Sequence, residues 1–211
     1  MDTPYHLLDT PQLLALAAAL GWASGLRLYA VLFITGAAGF LGWVALPPGL
    51  QMLMHPAALG ASGLLCFVEF FADKIPLVDS LWDVAHTLIR IPAGAALAAA
   101  ALGADGATAG WVAALLGGTL AATSHATKMT TRAAVNTSPE PFSNIAVSLA
   151  EDGLVVAALW LATTHPMVFG GALVLTVLAM VLTLVLLFKF FKAVARRVAA
   201  FFSGAASPQG T

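Results

Sequence analysis

The chain has 211 residues, of which 60% are hydrophobic and 9% charged, with a net charge of −1. A soluble domain could not carry that composition on its surface, and the charge balance excludes nucleic acid as a partner. The lone cysteine, Cys66, excludes an internal disulfide, a CxxC redox pair and a thiolate metal cluster.

A bilayer core roughly 30 Å thick takes about 20 apolar residues per helix, which leaves room for about six spans in one membrane domain covering residues 1–200. Residues 1–10 hold Asp2 and Asp9 but no Lys or Arg. They lack the basic flank of a cleaved leader, so the first apolar segment is expected to stay. That segment runs from 12 to 46 and as one helix would be about 50 Å long, too long for an upright span. It is expected to break at Ser24-Gly25 or in the small-residue stretch Gly36-Ala37-Ala38-Gly39, and it ends at Pro47-Pro48.

The second span is 56–73, closed by Lys74 and Pro76. The third starts at Asp79, is polar for three turns, meets Pro92 where a kink is expected, and continues to Leu102 before Gly103-Ala104-Asp105-Gly106 turns the chain. The fourth covers 107–136 and is followed by the turn Thr137-Ser138-Pro139-Glu140-Pro141. The fifth is 143–164. The sixth, 167–188, is the most purely apolar; its helical continuation carries Lys189, Lys192, Arg196 and Arg197, a surface anchor for anionic lipid. Residues 201–211 are expected to form a disordered tail.

The basic residues give the orientation. Those four, with Lys74, Lys128 and Arg132, lie toward one side, whereas the turns near Pro48, Asp105 and His165 contain no Lys or Arg. By the positive-inside rule the C-terminus is cytoplasmic, and six spans place the N-terminus there too. The expected location is a bacterial inner membrane. Two inverted three-helix repeats are a further expectation, with carboxylate pairs Glu69/Asp73 and Glu151/Asp152 in corresponding second helices.

The few charges are phased. Asp79, Asp83, His86 and Arg90 are spaced four, three and four, which places them together on one helix face. His125, Lys128, Arg132 and Asn136 repeat the pattern on the fourth helix, Asn144, Ser148 and Glu151 on the fifth, and Glu69 and Asp73 form an i, i+4 pair. A charge at the bilayer centre costs about 3 kcal/mol or more, so these edges must face one another or a wet cavity. Arg27 and Glu151, each deep in an apolar stretch, are the foremost site residues. Two readings stay open: ion pairs that fix the bundle, and a translocation path for a small ion. The spacing of Asp79, Asp83 and His86 would also suit a divalent metal.

The segment from Glu69 to Arg90, EFFADKIPLVDSLWDVAHTLIR, with Gly25-Leu26-Arg27 before it, resembles a bacterial multi-pass membrane family catalogued as domain of unknown function 4126. The likeness covers about 14–164. It implies a shared multi-pass fold and a family pattern of phased polar residues, and brings no activity with it. Glu69-Phe70-Phe71-Ala72-Asp73-Lys74 also looks like the Glu-x-Gly-Asp-Lys signature of cation/proton exchangers, but it lacks the glycine and has one residue inserted.

The leading expectation is a small transporter or channel in which Glu69, Asp73, Asp83 and Glu151 bind a cation or proton, neutralised by Arg27, Arg90, Lys128 and Arg132. The alternatives are translocation of a lipid phosphate head group held by those bases and a non-transporting scaffold, as a homo-oligomer or alone. No Ser/His/Asp, His-Glu-x-x-His or phosphate-loop pattern occurs, so neither an enzyme nor a cofactor is expected.

Overall fold

The computed structural model describes residues 8–103, 107–137 and 142–204, with backbone only for 201–204. The described residues are all helical and contain no strand. Six α-helices, α1 (Thr10–Phe40), α2 (Pro56–Ala72), α3 (Val78–Leu102), α4 (Ala107–Val135), α5 (Phe142–Thr164) and α6 (Pro166–Gly204), are joined by one 3-10 helix, Pro48–Met54. The expected turn residues 104–106 and 138–141 lie outside the described part, as do 205–211 of the expected tail. Residues 201–204 continue α6, since no breaker interrupts the helix before Ser203-Gly204.

Start signals are local. Asp9 caps α1 by accepting from Gln12 N at 2.8 Å while Gln12 Oε1 accepts from Asp9 N, a reciprocal capping box. Pro56 opens α2 after His55, whose Nδ1 accepts from Ala57 N. The turn into α3 uses Pro76 and then Leu77 at φ 71°, in the left-handed region. Pro92 sits inside α3 without ending it.

α1 reverses direction at Arg27. There the backbone leaves the helical region (φ −144°, ψ 77°). In a straight helix Gln12 and Ala38 would be about 39 Å apart, yet both line one apolar cavity of about 380 Å³ with Trp160 and Thr163 of α5. Gln12 Nε2 also donates to Thr163 O at 2.8 Å. The returning limb, 28–40, runs beside α2, with Phe33 against Gly63 and Gly36 against the Leu53 backbone. So α1 is a helical hairpin with Arg27 at its tip and both ends at one face of the bundle, here called the upper face.

The other helices then run alternately between the faces: α2, α4 and α6 downward, α3 and α5 upward. Leu8 and Gly204 therefore lie at opposite faces of the bundle. The breaks proposed at Ser24-Gly25 and Gly36–Gly39 are corrected too: the first falls two residues early, and the second marks the end of α1.

By length and composition four helices could cross a membrane, α1, α3, α5 and α6, with the 3-10 helix and α2, bent by 72°, as a fifth pair. α1 meets that length only by doubling back. α4 is less apolar: its first half is interspersed with Gly and Thr, and its second half carries His125, Lys128 and Arg132. Large hydrophobics on α2 to α6, such as Phe67, Leu88, Leu115, Trp160 and Leu175, point outward. The charges of α2 to α5 point in, the arrangement expected of a chain whose solvent is hydrocarbon.

α1, α3 and α4 pack closest. A Cβ on Gly21 would sit 2.6 Å from Gly117 Cα, and one on Gly25 would sit 2.1 Å from Ser124 Oγ and 2.2 Å from Ala121 O. These backbones touch because small residues permit it. Gly25→Ala is expected to destabilise by about 1–3 kcal/mol through that clash, read as a lowered melting midpoint in detergent. Gly60→Ala, with nothing within 4 Å, should melt like the parent. Equal midpoints for both variants would contradict the packing.

Candidate functional site

Five helices bring their polar edges to one place. Arg27 at the α1 tip, Glu69 and Asp73 at the end of α2, Asp79, Asp83 and Arg90 on α3, His125, Lys128 and Arg132 on α4, and Asn144, Ser148 and Glu151 on α5 are all buried. The four bases Arg27, Arg90, Lys128 and Arg132 are at most 2% exposed. A helix carries 3.6 residues per turn, so spacings of three and four hold each edge on one face. The edges can be buried only against one another.

The tip of α1 forms the centre. Arg27 Nη1 lies 2.6 Å from Asp73 Oδ2, and Nη2 donates to Ser148 Oγ at 2.7 Å and to Ser148 O at 3.0 Å. Its Nε is 3.2 Å from Asp152 Oδ1, and Nη2 is 3.7 Å from Glu151 Oε2. Because the helix breaks here, carbonyls that would bond within it turn outward. Lys128 Nζ donates to Leu26 O at 3.0 Å and His125 Nδ1 to Gly25 O at 3.2 Å; one turn before the break Ser124 Oγ donates to Trp22 O at 2.6 Å.

Ion pairs extend from there in two directions. Lys128 Nζ reaches Asp73 Oδ2 at 2.5 Å, Asp83 Oδ1 at 3.2 Å and Glu151 Oε2 at 3.6 Å. Arg90 spans Asp83 at 2.6 Å and Glu69 at 2.7 Å. Toward the lower face, Arg132 pairs with Glu151 at 2.8 Å and donates to Asn144 Oδ1 and to Asp73 O. Asp79 accepts from Asn136 Nδ2 at 3.1 Å and from Ser80 N at 2.6 Å, with Arg132 at 3.7 Å. Lys74 closes the lower side, 3.3 Å from Asp152 and 3.1 Å from the centre of the Phe70 ring. Burial pushes the Lys74 amine below its usual range, and the Asp152 carboxylate offsets part of that.

The structure thus gathers thirteen of the fourteen site residues read from the sequence. His86 stands aside: its Nδ1 donates to Trp82 O at 2.7 Å, and its Nε2 accepts from Tyr29 Oη at 3.1 Å. Asp79, Asp83 and His86 share a face yet turn to separate partners, and the described residues contain no group of three His, Cys, Asp or Glu able to hold a metal. The metal reading of that triad is corrected on this ground. Each of the four buried bases is engaged by carboxylates, which leaves none to take a lipid phosphate without breaking a pair.

Sequence reading passed over Tyr29, Thr87 and Ser124. Thr87 Oγ1 lies 2.9 Å from His125 Nε2. These are small or amphipathic residues inside apolar runs and give no signal until the partner helix is known. The apolar cavity at the upper face belongs to another part of the bundle and shares no residue with the charged cluster.

The family model described as Domain of unknown function (DUF4126) matches residues 14–186. No curated protein and no solved structure matches the chain.

Proposed function

Since this chain belongs to the DUF4126 family, whose description names no activity, we infer its function from the interior: it is a small transporter that carries a proton or cation along the buried charges. The observation that supports this reading most is the break in α1. A re-entrant helix whose opened carbonyls accept from Lys128 and His125, and whose buried arginine meets the carboxylates of Asp73, Glu151 and Asp152, follows the plan by which discontinuous helices serve ions inside membranes. Non-helical backbone at that depth is tolerated where protein or a water path surrounds it.

In this reading α2 to α6 make five crossings and α1 enters and leaves by the upper face, in place of six spans and inverted repeats. Lys74, Lys189, Lys192, Arg196 and Arg197 all gather at the lower face, which is therefore cytoplasmic. The start of α1 is then external. In a Cys66→Ala background, Thr10→Cys in intact cells is expected to react with an impermeant maleimide, and Lys189→Cys only after permeabilisation. Protection of Thr10→Cys until permeabilisation would restore the six-span topology.

The transport test uses the purified protein in liposomes with a pH or cation gradient and a pH-sensitive dye inside. Glu69→Gln and Glu151→Gln are expected to lower the flux at least tenfold, about 1.4 kcal/mol on the barrier. Flux equal to the parent's in both variants would end the assignment.

A second reading, a non-transporting scaffold, draws on a specific observation: each buried base contacts at least one buried carboxylate, and the cavity does not reach them. Such closed pairing can serve structure alone.

A further inference from the structure

The charges of the interior do not balance. Five carboxylates, Glu69, Asp73, Asp79, Asp83 and Glu151, are buried with four permanent cations, Arg27, Arg90, Lys128 and Arg132. Lys74 and Asp152 at the lower rim add one charge of each sign and leave the excess unchanged. An uncompensated carboxylate in a low-dielectric interior is costly, so one more positive charge is needed. A metal ion would require several oxygen or nitrogen ligands about one point, and no group of three His, Cys, Asp or Glu among the described residues offers it. A proton needs only one oxygen.

The partners of the five carboxylates differ. Asp73 has Arg27 and Lys128 at 2.6 and 2.5 Å, and Asp83 has Arg90 and Lys128 at 2.6 and 3.2 Å. Glu151 has Arg132, Lys128 and Arg27 within 3.7 Å. Asp79 is farther from its base but accepts from Asn136 and from Ser80 N, which favour its charged form. Glu69 has only Arg90, at 2.7 Å on Oε1, and shares that base with Asp83. Its Oε2 is buried and accepts from nothing; Asp73 Oδ1 and Asp83 Oδ2 are also without a partner, but each of those carboxylates has two bases on its other oxygen.

We propose that the cluster holds one proton at neutral pH and that the proton sits on Oε2 of Glu69. The groups that face Glu69 are Asp73 and Cys66 on its own helix, Arg27 and Tyr29 on α1, Arg90 and Asp83 on α3, Lys128 on α4 and, beyond Cys66, Asp152 on α5. Protonation keeps the Arg90 bond to Oε1, now a neutral carbonyl acceptor, and brings the interior to four charges of each sign. The substrate of the transport path is accordingly a proton rather than a metal cation. That last step rests on the transport reading; the proton site does not.

Infrared spectroscopy of the full chain in lipid bilayers reads the site directly. At pH 7 the parent is expected to show the carbonyl stretch of one protonated carboxyl per chain, displaced by carbon-13 glutamate and not by carbon-13 aspartate, and lost in Glu69→Gln. No such band, a band displaced by labelled aspartate, or a band that survives Glu69→Gln overturns the proposal. The labelling arms need only the parent, so a missing band or one displaced by labelled aspartate overturns the proposal even if the variant fails to fold. Proton flux in the same bilayers separates the two ideas. The band without flux retains the proton site and removes transport, whereas flux without the band does the reverse.

Discussion

Arg27→Ala is expected to deprive the protein of most of its stability. The guanidinium is 1% exposed and holds the tip of the α1 hairpin to α2 through Asp73 and the Glu69 carbonyl, and to α5 through Ser148, Glu151 and Asp152. Alanine leaves Asp73 and Asp152 short of a cation. Removing one partner of a buried pair costs about 3–5 kcal/mol because the remaining charge stays desolvated, a large part of the ~5–15 kcal/mol by which folded domains exceed their unfolded state. The measurement is the yield of monodisperse protein and its melting midpoint in detergent. Arg27→Lys should fall between parent and alanine, since one ammonium cannot serve partners placed around a planar guanidinium. Adding Asp73→Asn to Arg27→Ala should recover part of the loss, because their contributions are coupled. A midpoint for Arg27→Ala close to the parent's would mean that apolar packing of the limbs holds the hairpin.

Exchange of the Arg132–Glu151 pair separates structure from transport. Arg132→Glu places a carboxylate beside Glu151, Asp73 and Asp79, and Glu151→Arg places a cation beside Arg27, Lys128 and Arg132. Each single change should prevent folding, at a cost of several kcal/mol. The double exchange restores one ion pair between α4 and α5 and should return folded protein. Flux should nevertheless stay at least tenfold below the parent's, about 1.4 kcal/mol. An arginine on α5 cannot donate to Asn144 Oδ1 and the Asp73 carbonyl from the position Arg132 holds. Recovery of both folding and cellular function by the exchange would favour the scaffold reading.

Much of the bundle was legible because its signals are local. Pro56, the Lys74-to-Pro76 turn, the glycines near Gly103 and the prolines near Pro139 bounded α2 to α5 to within a residue or two. The polar edges were legible for the same reason, for a period near 3.6 assigns residues to a face without knowledge of what the face meets. Other features were not. Ser24-Gly25 marked a weak point in the first apolar run, but a break has no stated angle, and the six-span count assumed that the chain went on in the same direction. Asp79, Asp83 and His86 looked like one ligand set because they share a face; Asn136, the Arg90/Lys128 pair and Tyr29 draw them to different neighbours.

The sequence by itself determined that the chain is a helical membrane protein and which residues lie on its inward edges, because the cost of an apolar or charged residue in hydrocarbon is set residue by residue and the helical repeat is set by the backbone. Only the tertiary structure decided that α1 turns back at Arg27 and that five carboxylates share four bases. Those outcomes depend on partners far apart in sequence, 125 positions for Arg27 and Asp152 and 151 for Gln12 and Thr163, and on how closely Gly21 and Gly25 let three backbones approach.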